Sequence, residues 1–456
     1  MQQLPEAFRE RVMRDLGVEA GEALCAALDT PSPTAIRRHP RKGAEAPVGE
    51  PIPWSEWGSY LSERPSFTLD PAFHGGAYYV QEASSQFVGR LLAGEQMAGK
   101  RLLDLCAAPG GKSTLYASLV GEEGLVVANE VDRRRVQILA DNVRKWGLGN
   151  VVVTTNEAAD FEPLEEWFDV VAVDAPCSGE GMFRRLPESR VEWCEGAVGQ
   201  CAAIQREILG SAWQALKPGG ILIYSTCTFN HTEDEEVLAD FVARVGEECC
   251  AVEPVAEAEA WGIEVGRVGA FHTYRFYPHR AKGEGFFAAV VRKVGEATKS
   301  GRRGRDRKAK SVIQPVDKRE MQELSRWLQE PEQMRCYRAG ELLYAVRASR
   351  YEEVERLSGM LRVVYAGVAM GEIFKGKLKP EGALAFYVGL RREAVPEAEL
   401  SQQEALEFLR KGELAASLFE EGLNLVCHRG VPLGFVKRIG ARVNNLYPHS
   451  LRILNK

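Results

Sequence analysis

Two thiols just past the ends of two apolar runs are the first candidates for chemistry. In "GGILIYSTCT" the run ends at Tyr224, and Cys227 follows in the turn. In "FDVVAVDAPCSG" the run closes on Asp174, and Cys177 follows in a Pro/Gly turn. Runs apolar at every position are strands buried on both faces, as in a parallel sheet. Ligands of such sheets bind beyond the carboxyl ends of the strands. A metal site needs closely spaced ligand pairs, and neither cysteine has a C-x-x-C partner, so no metal is expected. A redox pair is open on geometry but lacks the same motif. Nucleophilic chemistry, in which a thiolate divides one hard step into easier ones, is the third reading. Cys25, Cys106, Cys201, Cys249, Cys250, Cys336 and Cys427 read as buried, inert thiols.

The same edge carries a glycine-rich turn. In "LDLCAAPGGKST" a strand ends, the turn follows and a helix begins, which brings backbone N–H groups close to a ligand. The P-loop pattern would put Gly where Cys106 stands, and that substitution removes the tight turn the pattern requires. The alternative is S-adenosylmethionine (SAM) binding, with an acid at the end of the next strand gripping the ribose hydroxyls. Glu130, at the end of "LVVANE", has that position. Cytosine suits a thiol beside a methyl donor. Its C5 is a weak nucleophile until a thiolate adds to C6 and makes C5 enamine-like. A group near N3 must then offer a hydrogen bond or proton as charge builds, and Asp174 is the candidate. Lys112, or the sulfonium charge, would favour the thiolate.

These residues need a framework. From residue 100 onward the chain alternates: RLLDLC, LVVANE, NVVVTT, FDVVAVD and GGILIYST read as strands, with helical patterns between them and after the last, from GKSTLYASLV to HTEDEEVLADFVARV. That is an α/β fold with a parallel sheet. One helix is expected from LPEAFRERVMRDLG through Ala27. At 456 residues the chain exceeds one core. Charged residues at 27% and hydrophobic ones at 45% are ordinary for a soluble protein. There is no apolar run of membrane-spanning length and no secretory signal pattern at the start, so a cytoplasmic protein without membrane association is expected. Ten cysteines without regular spacing fit a reducing compartment.

Together, "DAPCSGEGMFR", "YSTCT" and "LDLCAAPGGK" resemble the RNA 5-cytosine methyltransferases of the Nol1/Nop2/Sun group, and within it the bacterial RsmF branch that acts on small-subunit ribosomal RNA. The resemblance extends over most of the chain. It implies a Rossmann-like SAM-dependent catalytic domain with a small N-terminal α+β domain and C-terminal α+β and PUA-like modules. The expected division is 1–95 N-terminal, 96–295 catalytic, 296–315 basic linker, 316–390 small α+β and 391–456 PUA-like. Carried over by position, Cys227 is the nucleophile, Cys177 the release thiol, and Asp174 the contact to the cytosine ring, with Lys112 beside them. Cys106, Ala107, Ala108, Pro109, Gly110, Gly111, Lys112, Glu130 and Asp174 would hold SAM. Glu157 would touch its adenine side, where the family carries Asp. DNA cytosine methyltransferases attack with the thiol of a Pro-Cys pair, which by analogy would make Cys177 the nucleophile; the STC motif argues for Cys227.

The net charge of −6 gives no global support for nucleic-acid binding, but local charge does. "AIRRHPRK" resembles the family's Arg-x-Asn segment, with His39 in the Asn position. "KSGRRGRDRKAK" carries seven basic residues and one acidic, and reads as a solvated linker or as a phosphate contact. The tail from Val431 has five Lys or Arg and no Asp or Glu. Its alternation around "FVKRIGARV" suggests short strands. A monomer that binds ribosomal RNA rather than DNA is expected. The competing class is a non-catalytic RNA-binding or ribosome-assembly protein, which would be free to lose Cys177, Cys227 and Asp174.

Overall fold

A computed structural model describes residues 2–295 and 313–454; the basic run 299–310 lies outside the described residues. The chain opens with α1 (Glu6–Leu16) and α2 (Val18–Leu28). The expected single helix is broken at Gly17, whose φ of 81° an L side chain rarely adopts. The break folds the two halves into a hairpin that buries Phe8, Val12, Leu24 and Leu28. A small antiparallel sheet follows, with β1 (Thr34–Arg38), β2 (Glu50–Pro51), β3 (Gly58–Leu61) and β4 (Tyr78–Tyr79) in the order β2-β3-β1-β4.

The main sheet is built as the alternation predicts. Its elements are β5 (Arg101–Asp104), α3 (Gly111–Val120), β6 (Leu125–Asn129), α4 (Arg135–Trp146), β7 (Val151–Thr154), β8 (Phe168–Asp174), α5 (Glu195–Ala215), β9 (Leu216–Thr226) and α6 (Glu235–Val245). The five strands are parallel in the order β9-β8-β5-β6-β7. Val152, Val153, Val171 and Val173 are wholly buried, because helices cover this sheet and apolar side chains are packed on either face.

Antiparallel strands extend the sheet at both edges, a feature the alternation does not announce. β10 (Cys249–Ala251) and β12 (Phe271–Phe276) both pair with β13 (Phe286–Lys293), which pairs with β9, and β11 (Glu264–Val268) pairs with β12. At the other edge Val363–Ala366 pairs with β7. The C-terminal region thus contributes a strand to the main sheet. It also forms a five-stranded antiparallel sheet between Gln314 and Pro380 and a four-stranded sheet between Glu397 and Asn445. Those two sheets share a core in which Leu343 and Met370 of the first meet Leu425 and Phe435 of the second. The strands expected around "FVKRIGARV" are Val431–Ile439 and Arg442–Asn445. No helix among the described residues is long and apolar enough to cross a membrane.

Candidate active site

Three neighbouring strands, β9, β8 and β5, present their carboxyl ends side by side. Asp174 ends β8 in register with Ser225 of β9, and Cys227 lies one residue beyond the end of β9. The Cys177 turn folds back over that end, so the two sulfurs lie 3.2 Å apart. Burial and the hydrogen bond between the thiols, the latter the larger cause, push Cys177 well above the ordinary thiol range. Either sulfur can be the donor of the hydrogen bond between them. Asp174 accepts from Lys112 Nζ at 2.7 Å on one oxygen and from Ser225 Oγ at 2.8 Å on the other. Burial penalises the Lys112 ammonium, but Asp174 outweighs it, with Cys227 also favouring the charge, and the pKa lies above the ordinary lysine value.

The glycine-rich turn runs from Leu105 to Gly110 into α3. Gly110 has φ 110°, and a Cβ there would stand 3.1 Å from Leu139, so the turn can follow this path only without a side chain. Arg135 and Asn142 of α4 bond the carbonyls of Ala108 and Pro109 and hold the turn in shape. A cleft of about 540 Å³ opens beside it. Cys106, Ala107, Ala108, Pro109, Gly111, Lys112, Asp174 and Cys227 line one side, and Tyr79, Gln81, Glu82 and Glu284 line the other.

Glu130 and Glu157 stand apart from this group, at the ends of β6 and β7. Glu130 is buried, ion-paired to Arg135 at 3.3 Å and bonded by the Asp132 N–H. Glu157 is exposed at the start of a short helical turn, its N–H donating to Asp160. Five strand ends in a row thus carry thiol, carboxylate, Gly-rich turn, Glu130 and Glu157. Asp104, at the end of β5, belongs to the same row and was not singled out from the sequence. It accepts from Ser113 Oγ at 2.7 Å, its other oxygen has no partner, and burial lifts its carboxyl to about 7. A buried, half-satisfied carboxylate beside a Gly-rich turn suits a ligand carrying positive charge. "LLD" before the turn repeats the apolar-run-then-Asp pattern of "VAVD", and that repeat is the signal for it.

Other residues arrive differently from their sequence reading. Arg37 and His39 of the "AIRRHPRK" segment face inwards. His39 accepts from the N–H groups of Arg41 and Lys42 and packs on Trp146, and burial drives its pKa down to about 2. Of the thiols read as buried, Cys25, Cys336 and Cys427 are; Cys106, Cys201 and Cys249 are half-buried, and Cys250 is exposed on the short edge strand β10. No cluster of three or more His, Cys, Asp or Glu suited to a metal occurs among the described residues.

A doubly covered parallel sheet whose strand ends carry this turn and these acids defines a SAM-dependent methyltransferase. Three family models match the chain: the 16S rRNA methyltransferase RsmB/F over residues 92–292, the N-terminal domain of the 16S rRNA methyltransferase RsmF over 4–83, and the methyltransferase RsmF PUA domain over 395–453. The ribosomal RNA small subunit methyltransferase F of Shewanella loihica is 31% identical over 88% of this chain and 83% of its own. That of Escherichia coli O9:H4 is 32% identical over 89% and 86%. A solved methyltransferase homolog protein from Pyrococcus horikoshii is 25% identical, with TM-score 0.51 over 64% of this chain and 95% of that one. The chain belongs to the RsmF family of 16S rRNA methyltransferases.

Proposed function

We propose that this protein methylates C5 of cytosine in small-subunit ribosomal RNA through a covalent Cys227–C6 adduct. The observation that carries the reading is the pair of thiols 3.2 Å apart, beside a carboxylate held by Lys112. Cys227 is the attacker in this reading, on the strength of the STC motif, with Cys177 beside it. Addition of the Cys227 thiolate to C6 moves the C5–C6 π electrons onto C5, and Asp174 faces the ring at N3 as charge builds there. SAM, when bound, supplies an electrophilic methyl group. After C5 has gained the methyl, its proton leaves to a base and the S–C6 bond breaks, with Cys177 assisting release. Cys106–Lys112, Asp174 and Glu130 hold the cofactor in this reading, and Glu157 touches its adenine side. The chain works as a monomer with an N-terminal domain over 1–95, a catalytic domain over 96–295 and RNA-binding modules beyond.

The experiment is a denaturing gel of each variant with labelled ribosomal RNA and SAM. Cys227→Ala abolishes methyl transfer and forms no conjugate. Cys177→Ala forms the adduct and accumulates it as an RNA–protein conjugate. Conjugate in Cys227→Ala and none in Cys177→Ala reverses the roles. Full activity in both variants makes the thiols structural and overturns the mechanism.

A further inference from the structure

Three residues after Cys177 lies Glu180, wholly buried, and its carboxylate collects donors from the turn that carries the other thiol. Thr228 Oγ1 at 2.8 Å and the Phe229 N–H at 3.0 Å reach one oxygen. Asn230 Nδ2 and Trp193 Nε1, each at 3.1 Å, reach the other. Those first three donors are the residues directly after Cys227. The Gly181 N–H donates to the carbonyl of Cys227 itself at 2.9 Å. One carboxylate therefore laces the two thiol turns together.

Its counter-charge comes from far away in the chain. Arg11, in α1, lies 2.8 Å from Glu180 with a side chain 13% exposed. The guanidinium is held over the rings of Phe8 and Trp193, and Phe8 packs edge-on against Phe183 at 5.0 Å. The helical hairpin α1–α2 rests on the residues flanking both thiol turns, Phe183, Trp193 and Phe229 among them.

We infer that the Arg11–Glu180 pair is a positioning device that sets the register of the two thiols, so that docking of the N-terminal hairpin is a condition for turnover. Glu180 touches neither thiol and is a positioning residue. It acts on residues 228–230 through two side chains and one backbone N–H, and among the described residues no other carboxylate grips them in the same way: Glu233 holds Ser178 N–H on the far side of the Cys177 turn and reaches the second turn only through Asn230. A buried carboxylate with four hydrogen-bond donors and an ion pair tolerates little movement of any of them. Attack depends on the Cys227 turn alone, whereas release depends on the distance between the turns. Loss of the pair therefore slows release more than attack.

This inference rests on the adduct mechanism, and its test separates the two. Arg11→Met keeps the packing against Phe8 and Trp193 and removes the charge; Glu180→Gln keeps the shape and turns one acceptor into a donor. Full-length variants are compared with wild type and with Cys177→Ala for SAM affinity, for the rate at which the RNA–protein adduct forms, and for its lifetime. The expected result is SAM affinity within twofold of wild type, adduct formation slowed less than threefold, and an adduct lifetime at least tenfold longer in both variants. Should Glu180→Gln fail to fold, Arg11→Met decides. A long-lived adduct in Cys177→Ala alone overturns the positioning role and leaves the mechanism standing. No adduct in any variant, Cys177→Ala included, overturns the mechanism and this inference with it. Formation and release slowed by one common factor make the pair merely structural and overturn the inference.

Discussion

Arg37 offers a test in which opposing terms decide an order. Its guanidinium is wholly buried against the start of α3, beside the glycine-rich turn proposed to receive the cofactor. It donates to Gln81 Oε1 at 2.7 Å, Thr114 Oγ1 at 2.6 Å and the Gly111 carbonyl at 3.0 Å, and lies 4.4 Å from the centre of the Trp146 ring. No carboxylate accepts from it among the described residues. Burial lowers its pKa from 12.5 to about 9, a penalty on the charge on the order of 5 kcal/mol at about 1.4 kcal/mol per pH unit. Three charge-assisted bonds at about 1.5–3 kcal/mol each and a ring contact of about 1–2 kcal/mol offset that penalty. Arg37→Met removes both sides together. Thr114 keeps the Gly110 carbonyl at 2.7 Å, so the orphan left behind is Gln81 Oε1, and the expected loss is about 1–3 kcal/mol. Arg37→Lys keeps the buried charge but not the planar fork that meets three acceptors, so its loss is larger, about 2–4 kcal/mol. The substitution that looks conservative is the worse one. Several cooperative units rule out a single unfolding midpoint, so the assay is amide exchange across α3, with SAM calorimetry alongside. Protection falls in the order wild type, Met, Lys, and SAM affinity follows because Gly111 opens α3 directly after the turn. Lys protected as well as wild type, or better than Met, refutes the reasoning.

Two further outcomes are expected. Glu130→Ala weakens SAM binding by roughly 1–3 kcal/mol in calorimetry, the scale of hydrogen bonds to a charged group, and unchanged affinity removes Glu130 from the site. In the C-terminal sheet, Lys437 and Arg442 are exposed and their cross-strand partners Asn444 and Ile439 put them on one face, whereas Arg438 turns back to the carbonyls of Phe419 and Gly440. Neutralising Lys437 and Arg442 together lowers the slope of log RNA affinity against log salt by about 0.7–0.9 per contact, while Arg438→Gln leaves that slope unchanged; an unaltered slope in the double variant ends the phosphate reading.

How far the sequence could be read depended on the reach of each interaction. Parallel strands buried on both faces leave unbroken apolar runs, and β5 to β9 were legible for that reason. The edge strands were not. "FHTYRF" mixes polar and apolar residues, and Val363–Ala366 finds β7 some two hundred residues earlier, a pairing no local pattern can announce. The same division runs through the site. Cys177, Cys227, Asp174 and Lys112 stand in short motifs whose spacing already speaks of chemistry. Asp104 stands in such a motif too, the apolar run that ends in an acid. Glu180, Arg11 and Arg37 belong to another kind. Each is a charged residue that looks like solvated surface in one dimension, and each lies mostly out of water against a partner distant in the sequence. A charge can be taken out of water only where partners are supplied for it, and here those partners come from distant segments. Residues of that kind mark the contacts on which the site's assembly depends. Both Arg11 and Arg37 come from the N-terminal segment, one against the thiol turns and one against the Gly-rich turn. The N-terminal segment thus turns Arg11 and Arg37 inward, against the strand ends that carry the proposed site.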